Sequence, residues 1–233
     1  MLVWGRGSVP ETVAFDGTVS GLIDCYQTDP DSRYHKAQYR TREHYDVLCR
    51  VVKRDLGHKQ VSEITARDLL RWNEKYISEG HLPMGRAVIG MLRSVATFGS
   101  TLLGNKECRE LKMLMHDMRF PMGKSRDKIL TVEQIIAVRR EAHKLKVPSI
   151  ALAQAIQFAG TFRQKDIIGE WLPISEPGIS SVVRGNDKWV KGIDWKEIDQ
   201  NWILRHITSK RQKLVEIDLS IDPMVFEELG SSN

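Results

Sequence analysis

The sequence predicts a mainly helical protein with a small antiparallel β-sheet: a helical domain first, then an α+β domain. Three observations lead there. Apolar residues recur at three- and four-residue steps through the first half, the period of an amphipathic helix. A basic stretch containing Pro121 and Gly123 then breaks any regular pattern. Later, Trp202 to Thr208 and Leu214 to Leu219 alternate on either side of a lysine-bearing turn and read as paired strands. The chain thus divides into a helical domain at 1–118, a basic linker at 119–130 and a second domain at 131–233.

The totals agree with that reading. Of 233 residues, 41% are hydrophobic and 28% charged, a balance that buries a core without disulfide or metal staples. The formal charge of +5 favours a polyanionic partner. Cys25, Cys49 and Cys108 are far apart, odd in number and form no CxxC pair, so they read as reduced core residues and no metal site is expected. No apolar run approaches the ~18–20 residues that span a bilayer, and the start lacks a secretion pattern. The cytoplasm is the expected compartment, with no membrane partner.

In chain order, Met1 to Phe15 reads as a loose arm broken by Gly5, Gly7 and Pro10. Thr18 or Ser20 caps a short helix with Leu22, Ile23, Cys25 and Tyr26, stopped by Asp29-Pro30-Asp31-Ser32. A longer helix is expected from Tyr34 to Leu56, striped by Tyr45, Leu48, Val52 and Leu56, with Gly57 as a left-handed stop. Its start carries Arg33, Lys36, Arg40 and Arg42. Each alone is a solvated surface residue; together they form a candidate phosphate-contacting edge. Thr65 with Asp68 is a capping-box start for a helix burying Leu69, Leu70, Trp72, Tyr76 and Ile77. Pro83 opens the next, lined by Ala87, Val88, Met91, Leu92, Val95, Ala96 and Leu102. Arg86 and Arg93, seven apart, share a face suited to a DNA groove or simply to water. The last helix of this half, about Lys106 to Met118, buries Leu111, Leu114, Met115 and Met118. Lys124, Arg126 and Lys128 in the linker suit a phosphate backbone, or only solubility.

In the second half, Thr131 and Gln134 make another capping box, for a helix to about Leu145 with Ile135, Ile136, Val138 and Ala142 inward. The helix from Pro148 to Gly160 is apolar nearly all round and expected to be buried. It runs into Arg163. A buried arginine there needs an acid, carbonyl groups or an outside anion, and Asp166 is the nearest acid; a purely structural arginine is the alternative. Leu172 to Gly192 reads as an irregular excursion with a hairpin near Arg184-Gly185-Asn186-Asp187. In the strand after the turn, Leu214, Ile217 and Leu219 are taken as one face, with Val215 out of phase. His206 is expected on the strand surface, and the turn presents Lys210 beside Arg211 and Lys213. Asp222 and Pro223 start a final helix with Val225, Phe226 and Leu229. A guanidinium at 163 and an ammonium at 210 are suited to clamp one phosphate from two sides.

This order of parts resembles the tyrosine recombinases (phage integrase family) from about residue 15 to 230. The helix end Leu56-Gly57, the step Val61…Glu63-Ile64-Thr65 and the helix of Arg86 and Arg93 are similar to that family's helical core-binding domain. Thr131-Val132-Glu133-Gln134, the turn Ala159-Gly160-Thr161-Phe162-Arg163 with Asp166, Trp195-Lys196-Glu197-Ile198-Asp199 and Thr208-Ser209-Lys210 are similar to the start of its catalytic domain. The resemblance implies double-stranded DNA as partner, self-association on that DNA, and phosphoryl transfer. A tyrosine attacks a phosphodiester, leaving a 3′-phosphotyrosyl link and a free 5′-hydroxyl. Arg163 then stabilises charge on the pentavalent phosphate, and Lys210 protonates the leaving oxygen. The covalent link conserves bond energy, so no cofactor or metal is implied.

Departures from the family pattern bear on activity. Phe162 replaces the usual leucine, and 172–192 is an insertion. The family's His-x-x-Arg motif, its later His or Trp and its tyrosine nucleophile have no counterpart in the second half. Tyr26, Tyr34, Tyr39, Tyr45 and Tyr76 all lie in the first half. The chain alone is therefore expected to be inactive in cleavage, as a truncated form or remnant that still binds DNA. A non-enzymatic DNA-binding or regulatory protein on the same fold is the alternative, and a helical interaction module with incidental basicity is a third reading.

Overall fold

Thr18 Oγ1 accepts the N–H of Gly21 and caps the first helix, α1 (Val19–Thr28). The computed structural model describes residues 13–124 and 127–230, in two compact units, Met1–Ser125 and Arg126–Asn233. Most of the expected arm, and Arg126 of the linker, lie outside the described residues.

In the first unit α2 (Arg33–Lys36) and α3 (Tyr39–Leu56) stand where one helix was expected. Ala37 and Gln38 are extended and separate them. Gly57 closes α3 in right-handed, not left-handed, backbone. The Thr65–Asp68 capping box forms and opens α4 (Ala66–Ser78). α5 (Leu82–Thr101) and α6 (Lys106–Asp117) complete the unit. α5 is the axis, packed against α1, α3, α4 and α6. Val88, Leu92 and Val95 of α5 meet Leu22 and Ile23 of α1, Val52 of α3, Leu69 and Trp72 of α4, and Met115 of α6 in one buried cluster. Leu70 and Leu102, expected inside, are about half exposed. At Gly99 a Cβ would run into Cys108 Sγ and Leu22, so α5 and α6 approach closely there.

One buried polar node ties α3 to α4. Asp55 accepts hydrogen bonds from Trp72 Nε1 (3.0 Å) and Tyr76 Oη (2.7 Å), and pairs with Arg54 (2.7 Å). Burial pushes its carboxyl up, but the bonds from Arg54, Trp72 and Tyr76 outweigh that and hold it well below the usual carboxylate range. The three cysteines are buried and free. Burial pushes the Cys49 thiol up to about 12, which leaves it unreactive.

The second unit opens on the Thr131–Gln134 capping box, then α7 (Val132–Lys144) and α8 (Pro148–Gly160). The buried side of α7 is Ile135, Arg139 and Ala142; Ile136 and Val138 point outward. Arg139 bonds Glu228 (2.6 Å) and Glu227 (2.7 Å), and His143 Nε2 is 2.7 Å from Glu228, which joins α7 to the last helix, α10 (Pro223–Gly230). α8 is covered on one side only: Ala151, Leu152, Ala155 and Ile156 are buried, while Ile150 is 52% exposed. Phe226 of α10 is likewise exposed.

The excursion at 172–192 is ordered. After α9 (Gln164–Ile168), β1 (Glu170–Pro173), β2 (Val183–Arg184) and β3 (Asp187–Val190) form an antiparallel sheet in the order β1-β3-β2. The β2–β3 turn at Gly185 is the expected hairpin. Two features hold this sheet down. Trp189 Nε1 donates to Ile168 O (2.8 Å), its ring filling the space a Cβ would need at Gly169 or Gly192. The buried Lys188 ammonium donates to the carbonyls of Ile174 (3.2 Å), Glu176 and Gly178 (2.6 Å).

β4 (Ile203–Ile207) and β5 (Leu214–Asp218) pair antiparallel, with Arg205 opposite Glu216 and Ile207 opposite Leu214. The phase of β5 differs from expectation. Val215 and Ile217 pack toward the core with Leu219, and Leu214 faces out, because the strand period is two.

Candidate nucleic-acid interface

α8 ends at Thr161 in left-handed backbone (φ +50°), which turns the chain sharply. Phe162 is thereby buried and Arg163 becomes the residue that precedes α9. The Arg163 carbonyl accepts the Asp166 N–H (2.9 Å), which fixes Asp166 one turn on, pointing inward and only 1% exposed. Asp166 Oδ1 accepts the backbone N–H of Ser209 (2.6 Å), and Oδ2 lies 3.9 Å from Arg163 Nη1. Burial alone would raise this carboxyl. The Ser209 bonds, with the charges of His206 and Arg163, outweigh it and hold Asp166 below its ordinary value. One carboxylate thus meets both the guanidinium of Arg163 and the backbone beside Lys210.

The β4–β5 turn is closed by Thr208 N–H to Lys213 O (2.9 Å) and Gln212 N–H to Thr208 O (2.9 Å). Ser209 is buried, whereas Lys210, Arg211 and Lys213 are exposed. The Arg163 side chain is 49% exposed, which corrects the expectation of a buried arginine. Its loose ion pair with Asp166 leaves the guanidinium facing solvent, open to an anion. The reason is local: α9 starts at the surface, and Phe162, not Arg163, fills the core.

His206 corrects a second expectation. It is buried on β4, with Nδ1 3.1 and 3.2 Å from the two Glu197 carboxylate oxygens and its ring edge-on to Phe162 at 6.0 Å. Asp194 and Glu197 cap each other's turn, and that brings Glu197 under β4.

The remaining sequence candidates fall into three places. Arg33 and Lys36 are exposed on α2. Arg40 pairs with Glu43 (2.7 Å) and Arg42 donates to Ala37 O (2.7 Å), both near the Tyr39 ring, so these two carry structural contacts as well. Arg86 and Arg93 line a groove of about 640 Å³ with Lys112, His116 and Arg119, and no acidic side chain lines it among the described residues. Arg93 donates to Met115 O (2.8 Å), which holds its guanidinium at the rim. Lys112, His116 and Arg119 were missed by the sequence reading; the four-residue spacing of Lys112 and His116 on α6 was the available signal. Lys124 and Lys128 are exposed in the linker. Among the described residues no cluster of metal-ligating side chains occurs, and no helix is long and apolar enough to cross a membrane.

No protein-family model and no curated protein matches the sequence. Solved structures do. A lambda integrase dimer bound to a COC′ core site matches with a TM-score of 0.67 at 16% identity, over 92% of this chain and 53% of that one. A lambda integrase tetramer bound to a Holliday junction matches at 0.66 and 15%, over 92% and 54%. A lambda integrase(75–356) dimer on a COC′ core site matches at 0.68 and 15%, over 92% and 68%. The chain spans about half the length of the first two. The expected fold class, mainly α with small antiparallel sheets, is therefore the observed one, and the fold is similar to that of these lambda integrase structures.

Proposed function

We propose that this chain is the DNA-binding part of a site-specific recombinase of the tyrosine type, and that Arg163 and Lys210 grip one backbone phosphate. The observation that carries the reading is the Asp166 carboxylate, which holds the backbone next to Lys210 and lies against the Arg163 guanidinium. An exposed guanidinium beside one buried acid, and an exposed lysine next to the backbone that the acid holds, suit a phosphoryl group that gains negative charge as it is attacked. In that chemistry Arg163 neutralises the equatorial oxygens. Lys210, on a short turn, donates the proton to the leaving 5′ oxygen. Self-association on DNA belongs to the same reading, since the similar integrases are a dimer and a tetramer on their DNA.

The groove of Arg86, Arg93, Lys112, His116 and Arg119 supplies non-specific backbone contacts, with Arg33, Lys36, Lys124, Arg126 and Lys128 adding to them. No tyrosine follows Tyr76 in these 233 residues. The nucleophile of a tyrosine-type reaction would have to come from outside them. The same fact favours the second reading, a DNA-binding protein that performs no strand cleavage.

Duplex binding followed by fluorescence anisotropy across a salt series tests the proposal. We expect log affinity to fall linearly with log salt. Arg163→Ala and Lys210→Ala should each weaken binding and reduce the slope by about one. Absence of any affinity at low salt would remove both DNA readings. Binding unaffected by either variant would remove the phosphate grip. Supplying a second chain that carries a nucleophilic tyrosine then separates recombinase from pure binder, because only the recombinase yields a covalent protein–DNA product.

A further inference from the structure

A cavity of about 420 Å³ lies beside β4, walled on one side by the ordered insertion and on the other by the Asp194–Glu197 turn. His206 lines it. The Nε2 atom of this buried imidazole has no hydrogen-bond partner among the described residues, although Nδ1 is taken by Glu197. A buried polar nitrogen left alone is destabilising, and such groups mark places where something else binds.

The charged groups around the cavity sort into committed and uncommitted. Asp194 accepts the Lys196 N–H (3.0 Å), and Glu197 accepts the Asp194 N–H (2.9 Å) while facing His206 Nδ1. Lys191 is paired with Glu170 (2.8 Å). Asp166, on α9, is held by Ser209, and the Phe162 ring covers another side of the imidazole. Among the described residues the ammonium of Lys196 and the hydroxyl of Ser181 have no partner, and both residues line the same cavity as His206. What remains uncommitted is an ammonium, a hydroxyl and an imidazole nitrogen whose other side rests on a carboxylate.

We propose that this cavity is a second oxyanion site, taking a DNA backbone phosphate beside the one addressed by Arg163 and Lys210. His206, Lys196 and Ser181 are its donors. The assignment to DNA rests on the reading above; the oxyanion chemistry does not. It also gives the insertion at 172–192 a purpose, since Ser181 and one cavity wall come from it. For Nε2 to donate while Nδ1 stays on Glu197, the ring must be an imidazolium.

The test is a histidine-ring and amide NMR titration of the whole chain, first with inorganic phosphate, then with a short mixed-sequence duplex. We expect phosphate to shift the His206 ring and the Lys196 and Ser181 amides. Lys196→Met should cut phosphate affinity about tenfold, the factor for one charge-assisted hydrogen bond, with an unchanged Ser209 amide showing that the fold is intact. The duplex should move the same signals, and Lys196→Met should lower its salt slope by about one. A phosphate response without a duplex response makes this a site for free phosphate and overturns the backbone assignment. Silence of His206 toward both probes overturns the site itself, even where the duplex binds elsewhere. A duplex that binds nowhere sinks the proposed function, while the phosphate arm still decides the cavity.

Discussion

Thr161 is a β-branched residue in left-handed backbone, a conformation that costs an L-residue about 1–2 kcal/mol. Its place one residue before Phe162 makes that strain part of the device that presents Arg163. Thr161→Gly should raise stability by about 0.5–1 kcal/mol in urea unfolding; a loss would mean that the Thr161 side chain supports the turn. Asp166→Asn keeps an acceptor for Ser209 but removes the charge, and should cost about 1–2 kcal/mol at neutral pH. The native carboxyl sits below its ordinary value of 3.8. Its contribution is thus complete above that value and is lost as pH falls through the lowered one. The gap between wild type and Asp166→Asn should stay constant from pH 7 to about 5 and close below about 4; a gap that widens in acid contradicts this. At this scale the sequence was only half legible. Asp166 was named as the acid nearest Arg163, because i,i+3 spacing is local. The burial of His206 was not, because it depends on Glu197 arriving from a separate turn.

Among elements, α5 offers a paired test in two glycines of one helix. At Gly99 a methyl would strike Cys108 and Leu22, while at Gly90 nothing lies within 4 Å. Gly99→Ala should destabilise by about 1–3 kcal/mol, and Gly90→Ala should stabilise by about 0.5–1 kcal/mol through helix propensity alone. Thermal melts showing both changes of one sign would refute the packing described for α5. The α7–α10 junction is tested by Glu228→Ala, which leaves the buried Arg139 with only the exposed Glu227 as partner and should cost about 2–4 kcal/mol. Helix starts were readable from capping boxes at Thr65 and Thr131, whose partners stand three residues away. β1 and β2 were not, since a short strand holding Pro173 and a two-residue strand carry no period. The Arg139–Glu228 pair was equally invisible: partners 89 residues apart leave no local pattern.

For the whole molecule, the excess of five positive charges is not spread evenly. The groove between α5 and α6 gathers five basic side chains with no acid among its described lining residues. Arg86→Ala with Arg93→Ala should weaken binding to every duplex alike and lower the salt slope by about two. A change of sequence preference instead would mean base contacts. The fold class, helices joined later by paired strands, was legible because periodicity changes from 3.6 to 2 along the chain.

Lys188 behaves like a calcium ion that the polypeptide brings with it. Its ammonium gathers oxygens from Ile174, Glu176 and Gly178, as a loop does around a cation, so this lobe keeps its shape under chelators. The corollary is a single point of failure: neutralise that amine, by acetylation or by Lys188→Met, and the stretch around Glu176 becomes the first place a protease cuts.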